Sequence, residues 1–142
     1  MPYLHIWVHL VWSTKNRQPF LNDTIRQLVF EHIKENAAQK NILLKAINGY
    51  RDHVHCLILI NKDRTVSDTV QLLKGESAFW INKQGLTAEK FSWQNEYWAT
   101  SVGYSEVARV KKYIANQETH HRTTSFTDEV DAFIAENGLE DA

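Results

Sequence analysis

Two histidines, His53 and His55, are separated by one residue in the segment RDHVHCLILI. The apolar run after them predicts a strand, and alternate residues of a strand point to the same face. Their Cα atoms should therefore lie about 6.6 Å apart, so that both imidazoles can lean onto one divalent ion. Cys56 should point the other way. The alternative is two unrelated histidines, one at a strand end and one hydrogen-bonded in the core, because such short segments often arise by chance.

A second candidate pair, Tyr113 and Gln117, lies four residues apart in the segment KKYIANQ. This segment predicts a helix, and the spacing places both side chains on one helical face. A glutamine oxygen can complete a metal site of two imidazoles, and a tyrosine one turn away can reach a group that the metal polarises. Oxygen and imidazole ligands without a thiolate suit Mg²⁺ or Mn²⁺ better than structural zinc. Taken alone, each residue also fits an ordinary amphipathic or solvated position.

The composition sets the class of protein. The chain has 142 residues, of which 43% are hydrophobic and 23% charged, so we expect one domain, residues 1–142, with a substantial core. The single cysteine excludes an internal disulfide and a zinc site of several thiolates. No apolar run approaches the roughly 20 residues that cross a membrane, and the first residues do not resemble a signal peptide. We therefore expect no membrane association and a cytoplasmic location.

Charge is distributed unevenly along the chain. Residues 127–142 contain six acidic and no basic residues and form an acidic C-terminal tail. The preceding 126 residues contain 16 basic and 11 acidic residues and carry a net charge of +5. A modestly basic body of this kind is compatible with nucleic-acid binding, although many enzymes of other classes share it.

The hydrophobic periodicity predicts the element order β-α-β-β-α-β followed by two more helices. The predicted strands cover residues 4–13, 42–47, 53–60 and 96–102. The predicted helices begin at caps at Asp23, at Ser67 or Asp68, at Ser105 and at Thr127, and end near residues 40, 83, 121 and 138. This order is typical of the α+β ferredoxin-like (RRM-like) fold, an antiparallel sheet with its two helices on one face. We expect the other face to be free and a C-terminal helix to carry Tyr113.

Five segments together carry a resemblance to a known family. They are DHVHCLI, VKKYIANQ, HLVWSTKNRQPFL, LLKGESAFWIN and YWATSVG, which cover about residues 5 to 120. They resemble the HUH-type single-tyrosine transposases of insertion sequences that transpose as single-stranded DNA, the IS200-like transposases, whose relatives include the REP-associated tyrosine transposases. Each segment alone is a weak signal, but five with the expected spacing are specific. The residues after His121 carry no signature of the family.

The resemblance implies a function and a role for four residues. His53, His55 and Gln117 would bind Mg²⁺ or Mn²⁺, and Tyr113 would be the nucleophile. The enzyme would cleave and rejoin single-stranded DNA at hairpin-marked element ends through a 5′-phosphotyrosine. The family usually works as a homodimer, often with the tyrosine helix of one subunit completing the active site of the other. The sequence leaves open whether that helix acts on its own subunit or on the partner.

Six basic residues are candidates for contacts to DNA phosphates. They are Lys15, Arg17, Lys74, Arg109, Lys111 and Lys112. The ordinary alternative for each is a solvated surface charge.

Several polar residues near the candidate site have simpler explanations than metal binding. Asp52 can orient an imidazole or serve the turn before the third strand. His120 and His121 end the predicted tyrosine helix, where positive charge suits the helix dipole, and we do not expect them to be ligands. His5 and His9 share one face of the first strand, where we expect packing or DNA contact.

Three functions are compatible with these residues. The leading hypothesis is the single-strand DNA transposase. The second is a domesticated REP-associated relative that acts on genomic palindromes, which genomic context would separate from a mobile element. The third is a catalytically silent module that binds single-stranded nucleic acid, but the third strand, HVHCLILI, lacks the aromatic signature of RRM domains.

Overall fold

The computed structural model describes residues 3–121 and 124–138. Four antiparallel strands form one sheet in the order β2-β3-β1-β4, which confirms the expected α+β, ferredoxin-like arrangement. The strands are β1 (Trp7–Ser13), β2 (Leu43–Gly49), β3 (His53–Leu59) and β4 (Trp98–Val102). The helices are α1 (Arg26–Gln39), α2 (Val66–Gln84), α3 (Val107–Ala115), α4 (Gln117–His121) and α5 (Phe126–Asn137).

The predicted boundaries hold to within a few residues, and the capping residues differ. Thr65, rather than Ser67 or Asp68, accepts the backbone N–H that caps α2. Asn22, rather than Asp23, accepts the N–H groups that precede α1. Several short polar residues near a helix start can each act as the cap. The sequence therefore predicts that a cap is present, but it does not decide which of these residues supplies it.

The first face of the sheet carries α1 and α2 and holds the main core. Every second residue of β1 and β3 points to it, and Leu10, Trp12 and Cys56 are completely buried there. This alternation is the one that the hydrophobic pattern predicts.

The second face is covered by α3, α4 and α5, so the expectation of a free face was wrong. Near one end of the sheet, Trp7 and Leu57 belong to an apolar cluster that α3 completes with Val107, Val110 and Ile114. Elsewhere on this face, Val11 of β1 packs with Phe126 and Val130 of α5. The alternating strands leave apolar side chains on this face as well, and these bury the amphipathic faces of the C-terminal helices.

The predicted tyrosine helix is two helices. Asn116 has φ −96° and ψ 18°, which ends α3, and α4 begins at the next residue. At the start of α4, Gln117 is completely buried, while Glu118 beside it is exposed.

Most of the expected acidic tail is α5. Its N-terminus is capped by the Ser125 hydroxyl, which accepts the N–H of Asp128, rather than by Thr127. Gly138 ends it with φ 60°, as expected. Residues 139–142 lie outside the described residues. Within residues 3–121 and 124–138, no helix is long and apolar enough to cross a membrane.

Candidate active site

The two histidines of β3 lie side by side on the second face of the sheet. His53 and His55 are 0% and 1% exposed. Each ring makes a hydrogen bond through its Nδ1 atom. Nδ1 of His53 lies 2.8 Å from Oδ1 of Asp52, and Nδ1 of His55 lies 2.9 Å from Nε2 of His9. These contacts leave both Nε2 atoms directed at the helices that cover the face.

Gln117 reaches the same place from the first residue of α4. Its Oε1 lies 3.1 Å from Nε2 of His53, and Nε2 of His121 lies 3.0 Å from the same oxygen. The amide group of Gln117 also contacts the carbonyl of Tyr113 at 3.4 Å. The three side chains expected to bind a metal therefore come together, and His121 accompanies them.

A carboxylate from α5 lies at the centre of the cluster. Oε1 of Glu129 is 2.9 Å from Nε2 of His55 and 3.3 Å from Nε2 of His53. Its Oε2 is 3.2 Å from Nε2 of His121 and 3.1 Å from Nε2 of His120. Glu129 is 5% exposed, so it is a buried residue rather than part of a solvated tail.

These donors fit a divalent cation. His53, His55, His121 and Glu129 each offer one ligand atom, and the four atoms lie within 4.8 Å of one another. Oε1 of Gln117 contacts two of these imidazoles. The set contains imidazole and oxygen donors and no thiolate, as expected, but it is larger than expected because it includes His121 and Glu129.

Burial and mutual hydrogen bonding shift the pKa values in the cluster in different directions. Burial lowers the pKa of His55 to about 4, against the opposing effect of Glu129, so His55 is neutral at neutral pH. Burial also lowers the pKa of His53, but the hydrogen bonds with Asp52 and Glu129 outweigh it and the net pKa is raised. Burial would raise the pKa of Glu129, but hydrogen bonds from His121, His53 and His55 hold it well below its ordinary value. The cluster therefore holds an ionised carboxylate.

Tyr113 lies beside this cluster on α3. Its hydroxyl donates a hydrogen bond to Oε2 of Glu129, and its ring meets the His55 ring edge-on with centroids 5.6 Å apart. Burial, the hydrogen bond to Glu129 and that residue's charge raise the pKa of the phenol above its ordinary value. In this chain the tyrosine helix packs on its own sheet, next to its own histidines.

A cleft of about 400 Å³ opens beside the tyrosine. Its lining includes His9, Arg109, Tyr113, His120, Glu129 and Phe133. It lies between β4, α3 and α5 and gives the hydroxyl of Tyr113 and the carboxylate of Glu129 a route to solvent.

The six basic candidates do not form one surface. Arg109 and Lys112 lie beside Tyr113 and line a shallow groove with it. Lys111 points away, with Nζ 5.9 Å from the centre of the Trp7 ring. Of these three, Arg109 also forms an ion pair with Glu106 at 2.5 Å.

The other three basic candidates lie away from α3. Lys15 is exposed in a 3₁₀ turn after β1. Arg17, in the same turn, lies over the Phe126 ring at 5.3 Å and hydrogen-bonds to Thr127. Lys74 is half-buried and its ammonium donates to the carbonyl of Gln94, and burial lowers its pKa. Lys74 thus already contacts the backbone of its own chain, and phosphate contact by each of the six residues stays a prediction.

Two members of the cluster were missed from the sequence, although each left a signal. Glu129 interrupts the apolar stripe of α5, between Phe126 and Phe133, where an acidic residue is unexpected unless it has a partner. His121 continues the four-residue spacing that begins at Tyr113 and Gln117. Neither signal identifies the partner, which comes from another element.

Comparisons with known proteins decide the family. A family model described as "Transposase IS200 like" matches residues 3–117. The chain belongs to the IS200-like transposase family. The sheet, the two histidines of β3, Tyr113 and Gln117 all lie within the matched residues, whereas His121 and Glu129 lie beyond them.

Individual relatives agree with this membership. The ISDra2 transposase TnpA of Deinococcus radiodurans is 26% identical over 114 residues, which cover 77% of this chain and 81% of the relative. A crystal structure of a protein from D. radiodurans R1, described as a transposase, is 27% identical, has a TM-score of 0.63, and is matched over 82% of this chain and 95% of its own. A REP-associated tyrosine transposase, solved bound to a REP hairpin, shares the fold, with 19% identity, a TM-score of 0.60 and matches over 85% and 72%.

Proposed function

We propose that this family member cleaves and rejoins single-stranded DNA through a 5′-phosphotyrosine on Tyr113, with a divalent ion held by His53, His55 and Gln117. One observation carries the proposal. The hydroxyl of Tyr113 and the Nε2 atoms of His53 and His55 converge on the same carboxylate, that of Glu129, so the nucleophile and the metal-binding atoms share one small site.

The chemistry of tyrosine suits a reversible strand transfer. The phenol oxygen of Tyr113 forms a bond to phosphorus while the bond from phosphorus to the 3′-oxygen breaks; the phenol loses its proton and the departing oxygen gains one. A phenol has a pKa of about 10, so it leaves far more easily than an aliphatic hydroxyl. A DNA 3′-hydroxyl can therefore displace it and rejoin a strand without an external energy source. A bound divalent ion would withdraw charge from a non-bridging phosphate oxygen.

The remaining side chains position the reacting groups. Asp52 fixes the ring of His53 and His9 fixes that of His55, so that both Nε2 atoms face the site. The cleft beside Tyr113 would admit the strand, with Arg109 and Lys112 at its edge near the phosphates. Lys15, Arg17 and Lys111 would contact more distant phosphates.

The substrate that we propose is a single strand with a hairpin at the element end. The family membership supports this, as does the structural neighbour that was solved on a REP hairpin. We also propose a homodimer, because one tyrosine per subunit provides one covalent end and a transposition needs two.

A covalent-adduct assay tests the proposal. The full chain is mixed with Mn²⁺ and labelled single strands from the DNA that flanks its gene, and a denaturing gel shows whether label migrates with protein. We expect an adduct with the wild type and none with Tyr113→Phe or His53→Ala. We expect an unchanged adduct with Tyr104→Phe, since Tyr104 is 76% exposed and precedes the first residue of α3. An adduct that persists in Tyr113→Phe would overturn the proposal.

A further inference from the structure

We propose that His121 and Glu129 are additional ligands of the divalent ion beside His53 and His55, so that α4 and α5 complete a site for a first-row transition metal such as Mn²⁺ rather than Mg²⁺. The inference rests on the metal site of the proposed function. Both residues lie beyond the part of the chain that the family model matches, so membership alone does not assign them.

The distances allow one ion to reach all four residues. Bonds from such an ion to imidazole nitrogen or carboxylate oxygen are about 2.0–2.2 Å, so ligands on opposite sides lie about 4–4.4 Å apart. The four ligand atoms here lie within 4.8 Å of one another, so small side-chain rotations suffice. The side chains of His53, His55, His121 and Glu129 are 0%, 1%, 2% and 4% exposed, so water reaches them mainly from the side of the cleft beside Tyr113.

The charge of Glu129 points to a cation. Among residues 3–121 and 124–138, every ion-pair partner of Glu129 is a histidine. A carboxylate that is only 5% exposed is costly to bury unless it is paired or coordinates a metal, and imidazole nitrogens, unlike lysine or arginine side chains, are also good metal ligands. A divalent ion among the four groups would neutralise the carboxylate and would use the three imidazole nitrogens as ligands.

The fold holds both residues in place without the ion. Gln117 and His121 lie four residues apart on α4 and so project to the same side, where Nε2 of His121 lies 3.0 Å from Oε1 of Gln117. On α5, the Phe126 ring stacks on His53 with centroids 4.2 Å apart and an angle of 18°. Glu129 is thus presented from a helix that packs directly on the metal-binding strand.

The donor types favour a transition metal. Together with the amide oxygen of Gln117, the proposed ligands are three imidazoles and one carboxylate, and sets rich in imidazole bind first-row transition metals, whereas Mg²⁺ prefers oxygen ligands and keeps several waters. The site expected from the sequence, with two imidazoles and an amide oxygen, does not separate Mg²⁺ from Mn²⁺ as clearly.

Metal titration of the full chain tests the inference. Chelator-treated protein is titrated with Mn²⁺ and, separately, with Mg²⁺ by calorimetry, with Glu129→Gln and His121→Gln as test variants. Asp131→Asn is the matched control, because it removes one negative charge from the exposed side of the same helix. We expect Mn²⁺ to bind more tightly than Mg²⁺, both test variants to weaken Mn²⁺ binding by at least about tenfold, and Asp131→Asn to leave it unchanged.

A spectroscopic readout separates ligation from structural support. Pulsed EPR of bound Mn²⁺ should show one fewer coordinated imidazole nitrogen in His121→Gln, and Glu129→Asp should recover part of the affinity lost in Glu129→Gln. Wild-type affinity and nitrogen couplings in both test variants, with binding lost in His53→Ala, would overturn this inference and leave the proposed function standing. Unchanged Mn²⁺ binding in His53→Ala as well would overturn both.

Discussion

The two faces of the sheet are built by the same strands but have different chemistry. Along β3, Cys56 and Ile58 point toward α1 and α2, where one continuous apolar cluster fills the space. His53, His55 and Leu57 point toward α3, α4 and α5, where two smaller apolar clusters lie apart. The polar cluster around Glu129 occupies this second face. Apolar packing on the first face therefore provides most of the stability. The second face has less apolar packing and instead contains a polar site that can bind a charged group.

The largest expected effect is on stability, and it compares neighbouring residues on the two faces. Ile58 and Leu57 have side chains of equal size, are 1% and 0% exposed, and point to opposite faces. Truncation of such residues to Ala costs about 2–5 kcal/mol. We expect the loss in free energy of unfolding to lie near the upper end of this range for Ile58→Ala and near the lower end for Leu57→Ala. The reason is that the smaller apolar cluster under α3, which contains Leu57, relaxes more easily around the missing side chain.

Urea denaturation of the metal-free protein measures both losses. Equal losses in free energy of unfolding in the two variants would show that the second face is as tightly packed as the first. The proposed difference between the two faces would then be wrong.

The second prediction concerns Gly49, the last residue of β2 before the turn that leads into the histidine strand. A Cβ on Gly49 would lie 2.2 Å from the carbonyl oxygen of His53 and 2.9 Å from Cα of Val54. Gly49→Ala must displace the start of β3, so we expect a loss of about 1–3 kcal/mol and weaker metal binding. Gly75→Ala is the control, because nothing lies within 4 Å of its Cβ and Ala in a helix interior should add about 0.5–1 kcal/mol. A Gly49→Ala protein that melts and binds Mn²⁺ like the wild type contradicts this.

The third prediction concerns Asp52, which contacts the His53 ring on the side away from the cluster around Glu129. The carboxylate of Asp52 holds Nδ1 of His53 at 2.8 Å, and removal of such an orienting group lowers metal affinity by about 10–100-fold. We expect this loss in Asp52→Asn with little change in melting temperature. Asp23→Asn serves as the control, since Asp23 pairs with Arg26 and Arg51 at the surface. Calorimetry with Mn²⁺ measures the affinity. If Asp52→Asn binds Mn²⁺ as tightly as the wild type, the backbone alone orients His53 and the prediction is wrong.

The contrast between the faces also explains what the sequence could predict. Alternation along β3 placed His53 and His55 on the face opposite Cys56, because the direction of a strand side chain is a local property. The coverage of the second face was missed, since it depends on how α3 to α5 dock after the chain leaves β4. Glu129 was interpreted as a tail acid for the same reason: its partners lie 74 and 8 residues away, on β3 and α4.

The smallest expected effect separates basic residues near the site from those that support the fold. Lys112 is exposed in the groove beside Tyr113, whereas Lys74 donates to the carbonyl of Gln94. Each phosphate contact on a single strand adds about 0.7 to the slope of log affinity against log salt concentration. Fluorescence anisotropy with a labelled single strand over a salt series should therefore show a shallower slope for Lys112→Gln and an unchanged one for Lys74→Gln. The opposite result would mean that the strand runs past the outer surface of α2 and not through the cleft beside the tyrosine.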